Sequence, residues 1–145
     1  MDYSIIIPFY NEEENIPALL DELSSVMEKH SIDAEIIAVD DGSTDATLEK
    51  LKNAKTYISN LRILCMKKRS GQSAALWAGI KSSKSNIIIT MDGDSQNDPS
   101  DIPEMINLIK EYDAVFGWRK NRDDPIGKKI SCLLYTCDAA DELDG

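Results

Sequence analysis

The sequence predicts an α/β fold in which a mostly parallel sheet carries helices on both faces. Short apolar segments alternate along the chain with segments whose apolar residues recur every three or four positions, the order of strand–helix units. The short segments are continuously apolar, as expected for parallel strands that are buried on both faces. Polar residues follow most of these strands, at the edge where parallel sheets bind their ligands.

The first half of the chain contains three predicted strands, at residues 3–7, 34–39 and 61–65. A helix after Asn15, with Pro17 in its first turn, is predicted from an apolar face. That face consists of Ile16, Leu19, Leu20, Leu23, Val26 and Met27. Thr44 or Asp45 can cap a second helix, whose apolar residues are Leu48, Leu51 and Ile58.

The second half predicts two more helices and two more strands. Residues 70–81 contain A-A-L-W-A-G-I, a helix whose small residues suit close packing on a sheet. A fourth strand is expected at 86–91 and a fifth at 112–118. Asp98 followed by Pro99 predicts the cap of a fourth helix, whose apolar face is Ile102, Met105, Ile106 and Ile109.

Composition narrows the class of protein. The 145 residues are enough for one domain, and the net charge of −10 argues against a general nucleic-acid binder. No apolar run approaches the roughly 20 residues of a membrane helix, and the N-terminus lacks the basic region of a secretory signal. The three cysteines have neither metal-ligand spacing nor a disulfide pattern, which favours a cytoplasmic location. His30, the single histidine, is interpreted as a surface residue at a helix end.

The last residues differ in character from the rest. From Cys132 to Glu142 the sequence resembles a translated sequencing adapter, with Cys137 where that peptide has serine. We therefore expect the natural reading frame to end near Ser131 and residues 132–145 to be a non-native tail, which is excluded from the fold prediction.

The segment M-D-G-D-S-Q, which ends the fourth predicted strand, indicates a metal site. If it is extended, alternate residues point the same way, so that Asp92, Asp94 and Gln96 present three oxygen donors to one point. Hard divalent cations such as Mg²⁺ or Mn²⁺ take such ligands, and Gly93 permits a close backbone approach to the ligand. An EF-hand is excluded because the residues needed at its sixth and twelfth positions are missing. A solvated acidic loop is the alternative.

Two further segments carry candidate ligand contacts. Asp40 or Asp41 could accept a hydrogen bond from a base or a ribose, while Ser43 and Asp45 cap the next helix. The basic run at 67–69 is either a solvated loop or a contact for a diphosphate. A phosphate-binding P-loop is excluded, since its glycine–lysine motif does not occur.

Five motifs, taken in order, resemble the inverting glycosyltransferase family 2 with its Rossmann-like GT-A fold. They are P-F-Y-N-E-E-E-N-I, V-D-D-G-S-T-D, G-Q-S-A-A-L-W-A-G, M-D-G-D-S-Q-N-D-P and F-G-W-R-K-N-R-D-D-P. The last two, followed by G-K-K-I-S, look most like the polyprenyl-phosphate branch, typified by dolichol-phosphate mannose synthases and bacterial undecaprenyl-phosphate sugar synthases. The resemblance implies that residues 1–131 are the nucleotide-sugar-binding part of a GT-A domain that is incomplete at its C-terminus.

The resemblance also implies roles for individual positions. The residues implied in catalysis are Asp92, Asp94 and Arg119. Those implied in substrate binding are Pro8, Tyr10, Asn11, Glu12, Asp41, Gln72 and Arg122, of which Asp41 would bind the base and Arg122, like Arg119, the acceptor phosphate or diphosphate. Mg²⁺ or Mn²⁺ would be held by Asp92, Asp94 and Gln96, with Asp92 also placed near the ribose or a metal-bound water. Ser95 stands where the family commonly has an apolar residue.

The function that these expectations describe is transfer of a sugar from a UDP- or GDP-sugar to a polyprenyl phosphate, at the cytoplasmic face of a membrane. The implied partners are a nucleotide-sugar donor and a lipid-phosphate acceptor, and no nucleic acid. Two alternatives remain: a family-2 transferase acting on a sugar hydroxyl, which needs a downstream base, and a nucleotide-binding fragment without activity. A nucleotidyltransferase is disfavoured because P-F-Y-N after the first strand is not its glycine-rich loop.

Overall fold

The computed structural model describes residues 1–117 of the chain. They belong to two units, Met1–Asp113 and the beginning of Ala114–Gly145. The first unit contains a parallel four-stranded sheet in the order β3-β2-β1-β4. Its strands are β1 (Tyr3–Phe9), β2 (Ala34–Asp40), β3 (Leu61–Cys65) and β4 (Ile87–Thr90).

Four α-helices connect or follow these strands. They are α1 (Ile16–Lys29), α2 (Thr47–Lys55), α3 (Gln72–Ser82) and α4 (Ile102–Leu108), and a 3-10 turn, Pro99–Asp101, precedes α4. His30 is the C-cap residue of α1, as its position at a helix end predicted. No helix in the described part of the chain combines the length and the apolar character needed to cross a bilayer.

The helices cover both faces of the sheet, as predicted. Because side chains alternate along a strand, Ile5 and Ile7 of β1 lie on one face and Ile6 lies on the other. Ile5 and Ile7 are fully buried in a cluster with residues of α1, α2 and α4. Ile6 packs in a second cluster that includes Ala75 of α3. The central strands β1 and β2 are therefore buried on both sides, which explains why their sequences are largely apolar and do not alternate.

Helix α3 packs closely on the sheet because it has a glycine where it crosses β1 and β2. A Cβ atom at Gly79 would collide with Cγ2 of Ile6 and would lie 3.3 Å from Cγ2 of Val39. The predicted small-residue face of this helix is confirmed, and its packing requires the glycine.

Two differences from the predicted strands exceed a shift of one residue. β1 continues through Pro8 to Phe9, because proline lacks only one donor and the pairing of Pro8 with Val39 and of Phe9 with Asp40 maintains the register. The predicted fifth strand is wrong for the part that the structure describes: residues 112–117 are not a strand. An apolar run becomes a strand only where a neighbouring strand pairs with it, and Phe116 is 90% exposed.

The amino ends of the strands are held together by a buried carboxylate. Glu35 is 1% exposed and accepts hydrogen bonds from Ser4 Oγ at 2.7 Å, from the backbone N–H of Lys84 at 2.8 Å and from Arg62 Nη1 at 2.7 Å. Arg62 also donates to the carbonyl and hydroxyl oxygens of Ser82. This network fastens the segment between α3 and β4 to the sheet.

These contacts determine the charge state of Glu35. Burial by itself would raise its pKa, but the hydrogen bonds from Ser4, Arg62 and Lys84 outweigh that effect and hold the pKa below its ordinary value of 4.5. The carboxylate therefore remains ionised in the folded protein at neutral pH.

Replacing Gly79 with valine should lower the free energy of unfolding by about 2 kcal/mol, because the new side chain overlaps buried atoms of Ile6 and Val39. Urea denaturation measures the effect. Ser73→Val, at an exposed position of the same helix, is the matched control and should cost only the small difference in helix propensity. Equal losses from the two variants would contradict close packing at Gly79.

Replacing Glu35 with glutamine should lower the free energy of unfolding at pH 7 by about 1–2 kcal/mol, since Arg62 loses its charged partner. Because the folded pKa of Glu35 is lowered, the wild-type advantage is present above the ordinary pKa of 4.5 and disappears as the pH falls through the lower folded value. Denaturation at several pH values tests this. Glu22→Gln, on the exposed side of α1, should show no such dependence, and an advantage that persists at the lowest pH would contradict the account.

Candidate functional site

The candidate site lies at the carboxyl edge of the sheet, where β1, β2 and β4 end side by side. The backbone N–H of Asp41 donates to the carbonyl of Phe9 at 2.9 Å, and that of Met91 donates to the carbonyl of Ile6 at 3.0 Å. These bonds extend the pairing beyond the strands and bring three segments together: 10–15, 41–46 and 92–98. The sequence prediction that polar motifs converge on one edge is confirmed.

Asn11 ties the first of these segments to the second. Its Oδ1 accepts from the backbone N–H of Thr44 at 2.8 Å, and its own backbone N–H donates to Ser43 Oγ at 3.0 Å. The residue has φ +52°, a left-handed conformation that asparagine tolerates better than most residues. Predicted as a substrate contact, Asn11 here shapes the loop that would surround the substrate.

The neighbouring glutamates also act within the fold. The backbone N–H of Glu12 donates to the buried hydroxyl of Thr47 at 2.9 Å, and its side chain accepts from Asn15 Nδ2. Glu13, which the sequence did not single out, accepts from the backbone N–H of Ala46 at 2.8 Å, at the beginning of α2. Nothing in the run of three glutamates indicates that Glu12 and Glu13 make these different contacts.

The predicted cap of α2 is displaced by one residue, because Ala46 and not Asp45 is the N-cap of the helix. Asp45 lies just before it, and its Oδ1 accepts from the backbone N–H of Thr47, the first residue of the helix, at 2.9 Å. Desolvation would raise the pKa of Asp45, but the hydrogen bonds from Thr47 and the backbone N–H of Glu13 lower it below its ordinary value. The carboxylate is thus ionised, which suits the positive end of the helix dipole.

Asp41 anchors the basic loop, residues 67–71, and sequence reasoning missed this contact. Its carboxylate is 3% exposed; Oδ1 accepts from the backbone N–H of Ser70 at 2.7 Å and Oδ2 from that of Gly71 at 2.9 Å. Gly42 lies against the same loop, since a Cβ atom there would be 2.6 Å from the backbone nitrogen of Arg69. Asp41 is 29 and 30 residues from the two backbone donors in the sequence, so spacing alone could not reveal the contact.

The anchored loop places a cation beside Tyr10. The guanidinium carbon of Arg69 lies 4.0 Å from the centroid of the Tyr10 ring, within range of a cation–π interaction. The basic loop is exposed, and through Arg69 it lies beside Tyr10 at the edge that carries the predicted substrate residues.

The segment from Asp92 to Gln96 is a turn, so its predicted extended geometry is wrong. Asp94 Oδ1 accepts from the backbone N–H of Gln96 at 3.1 Å, and Ser95 has φ +60°. The bond from Asp94 to Gln96 closes the turn and rotates successive side chains away from a simple alternation. The three expected donors are therefore grouped by a turn, with Asp92 half-buried, and Asp94 and Gln96 exposed.

Gly93 is required by the fold, a role that the sequence prediction did not include. A Cβ at this position would lie 2.6 Å from Cδ1 of Phe9 and 2.7 Å from the carbonyl oxygen of Pro8. The close approach that the glycine permits is to β1, and it presses the turn against the sheet.

Gln72, the first residue of α3, contacts Asp92. Its Nε2 donates to Asp92 Oδ1 at 2.8 Å. On the other side, the backbone N–H of Asp92 donates to Asn97 Oδ1 at 3.0 Å. Gln72, predicted to bind substrate, is in the described structure a partner of the predicted metal ligand.

Asp98 is a structural residue, as predicted. Its side chain accepts from the backbone N–H of Ser100 at 2.8 Å. Hydrogen bonds from the side chain and the backbone N–H of Ser100 lower the pKa of Asp98. Arg119 and Arg122, the predicted acceptor contacts, lie outside the described residues.

The donor set fits a hard divalent cation. Within residues 1–117 no group of three or more His, Cys, Asp or Glu side chains could hold a metal ion. The predicted set has only two carboxylates and an amide oxygen, which is the sparse oxygen ligation that Mg²⁺ and Mn²⁺ use when diphosphate and water complete the shell.

A cavity of about 660 Å³ lies elsewhere, between the end of α1 and the segment after α2. Asp21, Met27, Tyr57 and Ile58 are among its lining residues, and none of the predicted site residues lines it.

Comparison with protein families gives one match over most of the chain. The family described as "Glycosyl transferase family 2" matches residues 4–136.

Over the aligned region, more than a third of the residues are identical between this chain and two curated relatives. Dodecaprenyl-phosphate galacturonate synthase of Rhizobium johnstonii is 42% identical over 130 residues, covering 86% of this chain and 38% of the relative. Undecaprenyl-phosphate 4-deoxy-4-formamido-L-arabinose transferase of Aeromonas hydrophila is 36% identical over 133 residues, covering 90% and 41%. The chain thus spans about two-fifths of the length of these relatives.

Solved structures share the fold. S. aureus TarS 1-349 in complex with UDP-GlcNAc has a TM-score of 0.69 at 24% identity, over 86% of this chain and 37% of that one. A mannosyltransferase from Pyrobaculum calidifontis in complex with GDP-Man and Mn²⁺ has a TM-score of 0.66 at 22% identity, over 74% and 32%.

Replacing Asp41 with alanine should release the basic loop and expose it to trypsin. The loss of two hydrogen bonds to a charged group lowers the cost of opening the loop by about 2 kcal/mol, so cleavage after residues 67–69 should accelerate at least about tenfold. Mass spectrometry of the first fragments measures the site and rate. Asp33→Ala, at an exposed position, is the control; unchanged cleavage of the Asp41 variant would show that the carboxylate does not anchor the loop.

Proposed function

Since the chain belongs to glycosyl transferase family 2, we propose that the complete protein transfers a sugar from a UDP- or GDP-sugar to a polyprenyl phosphate, with inversion at the anomeric carbon. The observation that carries the proposal is the shared edge of the sheet, where the D-G-D-S-Q turn, the basic loop and the two loops after β1 and β2 meet. The names of two relatives, a dodecaprenyl-phosphate and an undecaprenyl-phosphate sugar transferase, support the acceptor class.

The donor would lie along this edge. Asp41 would accept a hydrogen bond from the base, using acceptor capacity that remains beside the two backbone donors, and Tyr10 would line the nucleotide pocket with Pro8 and Glu12. Asn11 would contribute mainly by fixing the shape of the loop after β1, since its side chain is engaged with Thr44.

The turn after β4 would hold the metal. Asp94, Asp92 and Gln96 would supply oxygen ligands to Mg²⁺ or Mn²⁺, and the bound ion would neutralise negative charge on the departing diphosphate. The fold contributes the position of these donors: Gly93 seats the turn on β1, and the Asp94–Gln96 bond closes it. A solved structural neighbour contains GDP-Man and Mn²⁺, which supports the same class of ligand.

The acceptor phosphate requires little activation. A phosphate oxygen is already anionic, so the chain need not supply a strong general base, in contrast to a transferase that acts on a sugar hydroxyl. Arg119 and Arg122 would bind the acceptor phosphate or the diphosphate, because a planar guanidinium can donate to two oxygens at once. The reaction would take place at the cytoplasmic face of a membrane.

A more limited function follows from the length of the chain. Because it spans only 38% and 41% of the two relatives, the 145-residue polypeptide by itself would bind a nucleotide–metal complex without completing the transfer. The activity therefore belongs to the complete protein, and the nucleotide site belongs to this part of it.

The proposal predicts metal-dependent transfer in the complete protein. With undecaprenyl phosphate as acceptor and UDP- or GDP-sugars as donors, Asp94→Ala should lower turnover at least about a hundredfold, because a charged ligand of the ion is lost. Asp101→Ala, at an exposed position beyond the turn, should leave turnover unchanged.

The assay follows radiolabelled sugar into the lipid fraction. Full turnover by the Asp94 variant would remove that residue from the mechanism. Transfer to a sugar hydroxyl but not to the lipid phosphate would replace the proposed acceptor class.

A further inference from the structure

We propose that Gln72 is a positioning residue that orients Asp92 for metal and nucleotide binding. Asp41 in turn fixes Gln72, by holding the two residues that precede it. The assignment rests on the proposed function, because Asp92 matters to chemistry only if the turn after β4 binds a metal–nucleotide complex. It gives Gln72 a role through another side chain, whereas a direct contact with substrate had been expected.

A hydrogen bond joins the side chains of Gln72 and Asp92. Gln72 Nε2 donates to Asp92 Oδ1 at 2.8 Å, a length typical of a well-formed hydrogen bond to a carboxylate. The two residues are 20 positions apart, at the beginning of α3 and just after β4. The bond therefore joins two separate elements of the edge.

The backbone on both sides of Gln72, the donor, is held by hydrogen bonds. The backbone N–H groups of Ser70 and Gly71, immediately before Gln72, both donate to the Asp41 carboxylate. The first helical hydrogen bond, from Ala75 to the Gly71 carbonyl at 3.1 Å, follows directly. The Gln72 backbone is thus held between an anchored loop and a helix, which limits where its side chain can reach.

The amide of Gln72 is chemically suited to orient a metal ligand. An amide is neutral, so it fixes one oxygen of Asp92 without cancelling the negative charge that a cation needs. A lysine here would compete with the ion for the carboxylate, and a glutamate could not donate at all when ionised. Groups that orient metal ligands in this way commonly contribute ten- to a hundredfold in affinity.

The test measures binding of Mn²⁺ with UDP and with GDP, by electron paramagnetic resonance of free Mn²⁺ in the 145-residue chain. Gln72→Leu should weaken binding of the preferred complex about tenfold, while its urea midpoint stays at the wild-type value because Gln72 is exposed. Ser73→Ala, the adjacent exposed residue, should leave both unchanged. Gln72→Asn, which retains the amide, should recover part of the affinity.

A double-mutant cycle separates positioning from direct contact. If Gln72 acts through Asp92, Gln72→Leu should have no further effect in an Asp92→Ala background. An equal loss in both backgrounds, or wild-type affinity in the single variant, would overturn the assignment and leave the proposed function standing. Failure of the unmodified chain to bind either complex would overturn both.

Discussion

The parallel pairing of β1 with β2 on one side and with β4 on the other is the constraint on which the site depends. Because the pairing is parallel, the carboxyl ends of the strands lie at one edge of the sheet. Since β1 lies between β2 and β4, the loops after these three strands are neighbours. Backbone bonds from Asp41 to Phe9 and from Met91 to Ile6 extend this order into the loops. The buried, continuously apolar strands supply the stability, which leaves the polar residues after them available for ligand chemistry.

A second level of order comes from polar side chains that bind groups of a neighbouring segment. Asn11 accepts from the backbone N–H of Thr44, and Asp41 accepts from those of Ser70 and Gly71. Gln72 donates to the side chain of Asp92. Each contact joins segments that are far apart in the sequence. Together they turn separate loops into a continuous edge, in which residues expected to touch a substrate also hold the scaffold that would receive it.

The fold was predictable from the sequence to a greater extent than the site. The pattern of apolar residues located all four described strands, as continuous runs, and the four helices, because burial against the sheet leaves a clear signal in the sequence. It failed at residues 112–117, because an apolar run does not reveal whether a partner strand exists. In the site, local sequence alone identified Asp98 as a cap, of the 3-10 turn that precedes α4, and placed the cap of α2 within one residue of Ala46. The hydrogen bonds of the Asp41 carboxylate and the turn geometry at Asp94 depend on contacts and backbone angles that spacing cannot encode. The packing of Gly93 against Phe9 is likewise invisible in the sequence.

The central claim is that the carboxyl edge of the sheet is a metal–nucleotide site, and the location of binding tests it most directly. Hydrogen–deuterium exchange of the chain should be compared with and without UDP or GDP in the presence of Mn²⁺. The account predicts slower exchange in residues 8–12, 41–45, 67–72 and 92–97, with little change at the cavity between α1 and α2. Protection confined to that cavity, or no protection by either nucleotide, would contradict it.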